Sequence, residues 1–396
     1  MNMKRFLIVG SGFSGSVLAR ELVETLDCSV EVWESRDHLG GNCHTFRDVE
    51  TGVMVHAYGP HIFNTSSDLV WDYVRKYGEF MPYISRVKAV TARGIYSFPI
   101  NLHTINQFFN KSFDPRGAEQ FVSSLGDRSI ASPRNFEEAA LKHLGQELYE
   151  NFFKGYTIKQ WGTLPTELPA SVFGRLPIRF NYNDNYYNSK YQAIPKYGYS
   201  SIIEAILTHP KISLSLGRSF RAEDRAGVLD NYDYVFYTGP LDSFFGYSLG
   251  RLGYRSLDFE RVHSEYDDYQ GNAVINYPDL SVPWTRIHEH KHFAPWEKTS
   301  GTVVYREYSK ETRDGDEPFY PKRLSSDKAL LDGYKGLAME LSNSKTFRAG
   351  FGFLGRLGTY RYLDMAPTIE EALKFADQFS TSYKRGLMPP PFLDGI

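Results

Sequence analysis

The chain has 396 residues, 41% of them hydrophobic and 23% charged, which suits a soluble globular protein with a core large enough for two or three domains. Its 45 basic and 47 acidic residues leave a net charge of −2, which argues against a nucleic-acid protein and confines any anion site to a local cluster of arginines. No stretch stays apolar for the ~18 residues of a membrane span, no signal peptide precedes the first strand, and Cys28 and Cys43, lacking metal spacing, read as free thiols of a reducing cytoplasm.

Lys4 to Val9 has the β-branched and aromatic bias of a buried parallel strand. It runs into Gly10-Ser11-Gly12-Phe13-Ser14-Gly15, after which Leu18, Leu22 and Leu26 fall at helical spacing. A second strand, Val30 to Trp33, ends on Glu34. Strand, glycine loop, helix, strand and acid together form the dinucleotide-binding fingerprint. Gly10 permits the turn, Gly12 lets backbone approach a pyrophosphate, and Gly15 brings helix against sheet. Glu34 would accept hydrogen bonds from ribose hydroxyls, and the helix N-terminus would hold the phosphates. A second glycine pair, Gly40-Gly41 before Asn42, suits either an ordinary turn or a backbone laid against a longer cofactor, FAD rather than NAD.

Further on, His56 to Phe63 reads as a strand ending on a turn, and Tyr83 to Phe98 as a hairpin. From Asn101 to about Gly162 the pattern is helical, clearest over Phe136 to Gly155, with Asn135 as N-cap. Leu164 to Asn188 holds three prolines and reads as a long loop able to move. Tyr197 to Leu207 is a helix, followed by strands at Lys211 to Leu216 and Tyr232 to Thr238. A largely antiparallel second sheet is expected between Arg255 and Tyr308, with strands at Ala273 to Tyr277, Arg286 to Phe293 and Thr302 to Tyr308. Helices follow at Ser326 to Leu341 and Thr368 to Arg385, with a glycine-rich loop at Phe351 to Thr359 between them, and Met388 to Pro391 form a solvated tail.

Several groups of residues have competing explanations. Tyr149, Phe152, Phe153 and Tyr156 form an aromatic stripe that is either core or a wall for a nucleobase. Arg175, Arg179 and Arg286 are forks that a pyrophosphate would need in a chain without net basic character. His288, His290 and His292 alternate along an expected strand and would share one face, more in keeping with structural histidines than a metal site. The run Asp314 to Glu317 lacks the remaining ligands of a calcium loop. With no hydrolase elbow, carboxylate pair or Cys–His arrangement, any chemistry would rest with a cofactor.

Over Phe6 to about Arg385 the chain resembles UDP-galactopyranose mutases. The matching stretches include Ile8 to Gly12, His38 to Asn42, His61 to Phe63, Lys154 to Gly162 (KGYTIKQWG), Tyr237 to Pro240, Gly271 to Asn276, Thr285 to Ile287, Glu289 to Phe293, Gly315 to Pro318 and Tyr360 to Met365. The resemblance implies an α/β fold: a Rossmann-like FAD-binding domain of residues 1–80, 196–242 and 334–387, a helical domain of 101–172, an antiparallel sheet domain of 81–100, 173–195 and 243–333, and a tail of 388–396. It implies a cytoplasmic isomerase of cell-wall galactofuranose supply, a homodimer, interconverting UDP-galactopyranose and UDP-galactofuranose. Reduced flavin N5 would be the nucleophile at the anomeric carbon and UDP the leaving group, with no net redox change and an external reductant such as NAD(P)H.

The same resemblance implies that Arg175, on a closing loop, and Arg286 grip the diphosphate, that Tyr186, Tyr320 and Tyr362 bind the phosphates, and that Phe152, Tyr156, Trp161 and Asn276 line the uridine and sugar side. His61 would sit beside the flavin. Gly10, Gly12, Phe13, Ser14, Gly15, Glu34, Ser35, Gly41, Asn42, Gly239, Arg356, Tyr362, Asp364 and Met365 would be flavin contacts. Pro60, Leu363 and His288 depart from the expected alanine, tyrosine and aliphatic residue. A flavin amine-oxidase-type oxidoreductase and a non-catalytic flavin-fold binding protein are the competing readings, the second of which predicts a degraded glycine loop.

Overall fold

Phe6, Ile8, Val30, Val32, Tyr234 and Phe236 face one hydrophobic core while Leu7, Val9, Trp33, Val235 and Tyr237 face another, so these strands are apolar on both sides. Such runs belong in a parallel sheet covered on both faces. In the computed structural model, which describes residues 3–392 except Leu176, Lys345 and Arg348 and only the backbone of Arg175 and Ser325, they form that sheet. Its order is Ile212–Ser215, Cys28–Trp33, Lys4–Val9, Tyr234–Tyr237, Gly350–Phe353, with every pair parallel. The helices Phe13–Thr25, Tyr199–Leu207 and Met365–Lys384 cover one face. Ser325–Asn343 helps to cover the other.

A seven-stranded sheet has the order Tyr320–Pro321, Tyr254–Val262, Val304–Glu311, Arg286–Glu289, Val274–Asn276, Val87–Thr91, Gly94–Phe98. It is antiparallel apart from the pairing of Val274–Asn276 with Val87–Thr91. Helices Leu102–Phe109, Pro115–Leu125 and Phe136–Tyr149 pack with it around a third core. Asn135 caps the last of these, accepting from Glu138 N at 2.9 Å. Gly145, at φ 76°, breaks that helix, and a π-helical turn, Glu150–Lys154, then leads into Gly155–Trp161.

Three expectations need correction. Gly350–Phe353 is a strand, not a loop, because at the edge of the parallel sheet its glycines face Tyr234, leaving Phe351 and Phe353 to supply the burial. The strand Arg286–Glu289 stops before a short 3-10 turn, His290–Phe293, so the three histidines do not share one strand face. Among the described residues, the tail is solvated only at Met388 and Pro390. Pro389 and Pro391 are buried, Phe353 N donates to Pro391 O at 2.8 Å, and Phe392 stacks on Phe353 at 5.1 Å.

Candidate active site

The carboxyl ends of the parallel strands open onto a cavity of about 1060 Å³ that reaches the seven-stranded sheet and the Gly155–Trp161 helix. Crevices at strand carboxyl ends are where open α/β sheets hold ligands, and this one stands at the large end for a small-molecule site.

At one end lie the two glycine loops. Gly10 has φ +106°, and a Cβ there would fall 2.0 Å from Thr238 Oγ1. A Cβ on Gly15 would meet Gly10 O at 2.0 Å, so helix and loop touch backbone to backbone beneath the cavity rather than in its wall. Gly41, at φ +54°, lies against Gly12, and Gly40 N donates to Ser11 Oγ at 3.2 Å. The helix beginning at Phe13 has no side-chain cap, so its first N–H groups are free for an anion. Glu34 is buried and accepts from Ser11 N and Oγ at 3.0 and 2.8 Å. Phe13, Ser14, Ser35, Asn42, Gly239, Asp364 and Met365 also line this end. The cradle therefore fits a dinucleotide.

At the other end, register sets the chemistry. Asn276 pairs with Arg286 and Arg286 with Glu307 across three neighbouring strands, so the side chains form one row. Arg286 donates from Nε and Nη2 to Glu307 Oε1 at 2.9 and 2.7 Å, and the other carboxylate oxygen meets His288 Nε2 at 2.9 Å. Burial works against the Glu307 charge, but Arg286 and the His288 hydrogen bond outweigh it and hold the carboxyl down at about 2. Arg286 in turn stays charged despite burial because Glu307 faces it. Asn276 Oδ1 is buried and has no hydrogen-bond partner among the described residues.

Tyr320 and Tyr362 stack at 5.6 Å, with the Arg356 guanidinium 5.5 and 5.2 Å from their ring centres. Arg356 is fixed by Leu363 O and Phe319 O. Burial pushes the hydroxyl groups of Tyr156, Tyr186 and Tyr320 upward, leaving them protonated donors. His61 lies between the two ends. Its Nδ1 meets Gly59 O at 2.7 Å, which makes Nδ1 the donor and leaves Nε2 an acceptor. Burial, then the Arg356 charge, lowers His61 to about 4, so the ring is neutral.

The aromatic stripe serves both explanations. Tyr149 is core and bonds Glu137, whereas Phe152, Phe153, Tyr156 and Trp161 line the cavity. Arg179 is not a ligand fork: it is buried and spent on Asn183 O, Asn185 O and Asn188 Oδ1. The Arg175 side chain lies outside the described residues. Glu289, Asp268 and His292 come together, but the Glu289 carboxylate already accepts from Tyr269 N, Gln270 N and Thr302 Oγ1, which makes it a loop clasp. Sequence reasoning missed Glu307 and Arg36. Arg36 stacks over Tyr58 at 4.3 Å, holds Asn42 Oδ1 at 2.8 Å and keeps a buried Nη1 without a partner among the described residues.

A family model for UDP-galactopyranose mutase matches residues 151–362, and one for an NAD(P)-binding Rossmann-like domain matches residues 8–77. The chain is 54% identical to a Klebsiella pneumoniae protein bearing the name probable UDP-galactopyranose mutase, over 96% of each chain. It is 46% identical to a dTDP-fucopyranose mutase of Escherichia coli, over 96% of this chain and all of the relative. A crystal structure of reduced UDP-galactopyranose mutase superposes with a TM-score of 0.72 over the whole of both chains, at 16% identity, which bears on fold alone.

Proposed function

The chain belongs to the UDP-galactopyranose mutase family, and on that premise we propose that it binds FAD and interconverts UDP-galactopyranose with UDP-galactofuranose. The supporting observation is one cavity with a glycine cradle for a dinucleotide at one end and the Asn276–Arg286–Glu307 row at the other. When bound and reduced, the flavin supplies a nucleophilic N5 for the anomeric carbon, without net redox change.

The chain's own residues do the rest. Gly10, Gly12 and the helix starting at Phe13 seat the cofactor pyrophosphate, with Glu34 on the ribose. Arg286, held by Glu307, stabilises the diphosphate as charge develops on the departing UDP. Tyr186, Tyr320 and Tyr362 donate hydroxyl hydrogen bonds to the phosphates. Phe152, Tyr156 and Trp161 give the uridine a wall, and Asn276 Oδ1 accepts from the substrate. His61 offers Nε2 as an acceptor beside the flavin. Arg175 is the second diphosphate arginine in this proposal, and closure of its loop excludes water from the reacting sugar. A homodimer in the cytoplasm, drawing electrons from NAD(P)H, completes it.

An oxidoreductase of the amine-oxidase type would have no use for an arginine ion-paired at the far end of the cavity from the glycine loops. The dTDP-fucopyranose mutase relative makes base and sugar the points to test. The experiment compares kcat/KM for UDP-galactofuranose and dTDP-fucofuranose with FAD-loaded, reduced protein, and repeats it with Arg286→Ala. Preference for the uridine substrate and a loss of about 10²-fold in the variant are expected. Preference for the thymidine substrate would move the assignment to the other branch of the family.

A further inference from the structure

Lys159 belongs to the helix Gly155–Trp161, which brings Tyr156 and Trp161 to the cavity, but its own side chain is not among the lining groups. Its ammonium turns instead to the loop of residues 277–285 and shares its three N–H donors among the carbonyls of Tyr277, Asp279, Val282 and Trp284, each within 2.9 Å. That loop joins Val274–Asn276 to Arg286–Glu289, and the pair facing each other at its base is Asn276 and Arg286. One side chain therefore spans the two walls of the substrate end of the cavity.

The helix is committed to this position by other contacts. A Cβ on Gly155 would stand 2.1 Å from Pro278 O, so the helix start lies directly on the loop. Arg255, itself buried, donates to Gln160 O at 3.0 Å and Lys159 O at 3.1 Å. Four carbonyl oxygens converging on one positive centre is the coordination a weakly hydrated monovalent cation receives in a protein. A solvated surface lysine makes no such set, and without the ammonium these carbonyls, pointing at one another, would repel. Burial draws Lys159 down to about 8, with the Asp279 charge opposing, and it stays charged at neutral pH.

We propose that Lys159 is a positioning residue for the mutase reaction: its ammonium acts as a built-in monovalent cation in a carbonyl cage and sets the distance between the Tyr156–Trp161 wall and the Asn276–Arg286 edge. This rests on the substrate reading given above. Glu307 still holds Arg286 when Lys159 is removed, so the loss falls on nucleotide binding more than on the chemical step.

The test is Lys159→Ala in the FAD-loaded enzyme, assayed with the flavin reduced. Flavin content is expected to match the parent, KM to rise about tenfold or more with a smaller change in kcat, and amide exchange across 277–285 to accelerate. Ammonium or methylammonium, small enough for the empty cage, is expected to reverse both effects, and tetramethylammonium at equal ionic strength to reverse neither. Unchanged KM and exchange, or equal rescue by every salt, overturns the proposal. Should the variant come out without flavin, purification in ammonium that restores it supports the proposal, and failure to do so sinks it. The exchange measurement needs no substrate, so it separates a failure here from a parent enzyme that does not turn over UDP-galactofuranose.

Discussion

Arg286, half-buried in the cavity, keeps a full charge because Glu307 stands opposite on the next strand, and Glu307 stays ionised because Arg286 and His288 occupy both its oxygens. The arginine was legible from its motif. The glutamate was not, since it lies 21 residues away and only strand register brings the two together. His288, where an aliphatic residue was expected, is spent on that same carboxylate. The buried histidines make a pH prediction. Burial, followed by the neighbouring His61 charge, lowers His56 to about 3, and burial with Arg356 lowers His61 to about 4. An unfolded histidine takes up its proton at about 6.5. Between those values the unfolded chain binds more protons, so stability falls as pH drops from 6.5 towards 4. Glu307 adds a separate loss below about 4.5, the range in which its unfolded carboxyl protonates, continuing to about 2. Thermal midpoints of the cofactor-free protein measured across this range should decline already above pH 5. A flat profile from 6.5 to 4 would show that these histidines are not held neutral.

At the scale of elements, the opening strand, loop, helix and strand were readable because each local preference agrees with the fold: both-face apolar strands, glycines where backbone meets backbone, an uncapped helix start. The errors came where a partner outside the window decides. Gly350–Phe353 looks like a loop until Tyr234 fills the space over its glycines, and the tail looks solvated until Pro391 bonds Phe353. The alternating histidines suggested a strand that in fact ends at Glu289, where a 3-10 turn takes over. Gly10 gives the sharpest prediction at this level. Alanine there would need φ +106° and would drive its Cβ onto Thr238 Oγ1. Gly10→Ala is expected to purify with less than about a tenth of the parent's flavin while keeping a cooperative unfolding transition, as read by absorbance and circular dichroism. Full flavin occupancy in that variant would remove the loop from the cofactor site.

For the whole molecule, the parallel sheet presents its carboxyl ends and the seven-stranded sheet the face carrying Val274, Asn276 and Arg286 to a shared cavity, and neither alone carries both halves of the site. On the proposed function, that division explains why no catalytic motif stood out in the sequence: the chain would contribute a cradle, an arginine clamp and an aromatic wall, and the reactive atom would come from the cofactor. Among the described residues no helix is long and apolar enough to cross a membrane, and the site's charge is local, as the near-neutral composition required. The most direct test of this account is turnover of UDP-galactofuranose by the purified FAD-loaded protein, with and without dithionite, resolved by anion-exchange chromatography. Conversion to UDP-galactopyranose is expected only after reduction, with no electron acceptor consumed. No conversion by the fully reduced enzyme, or equal conversion by the oxidised one, would contradict it.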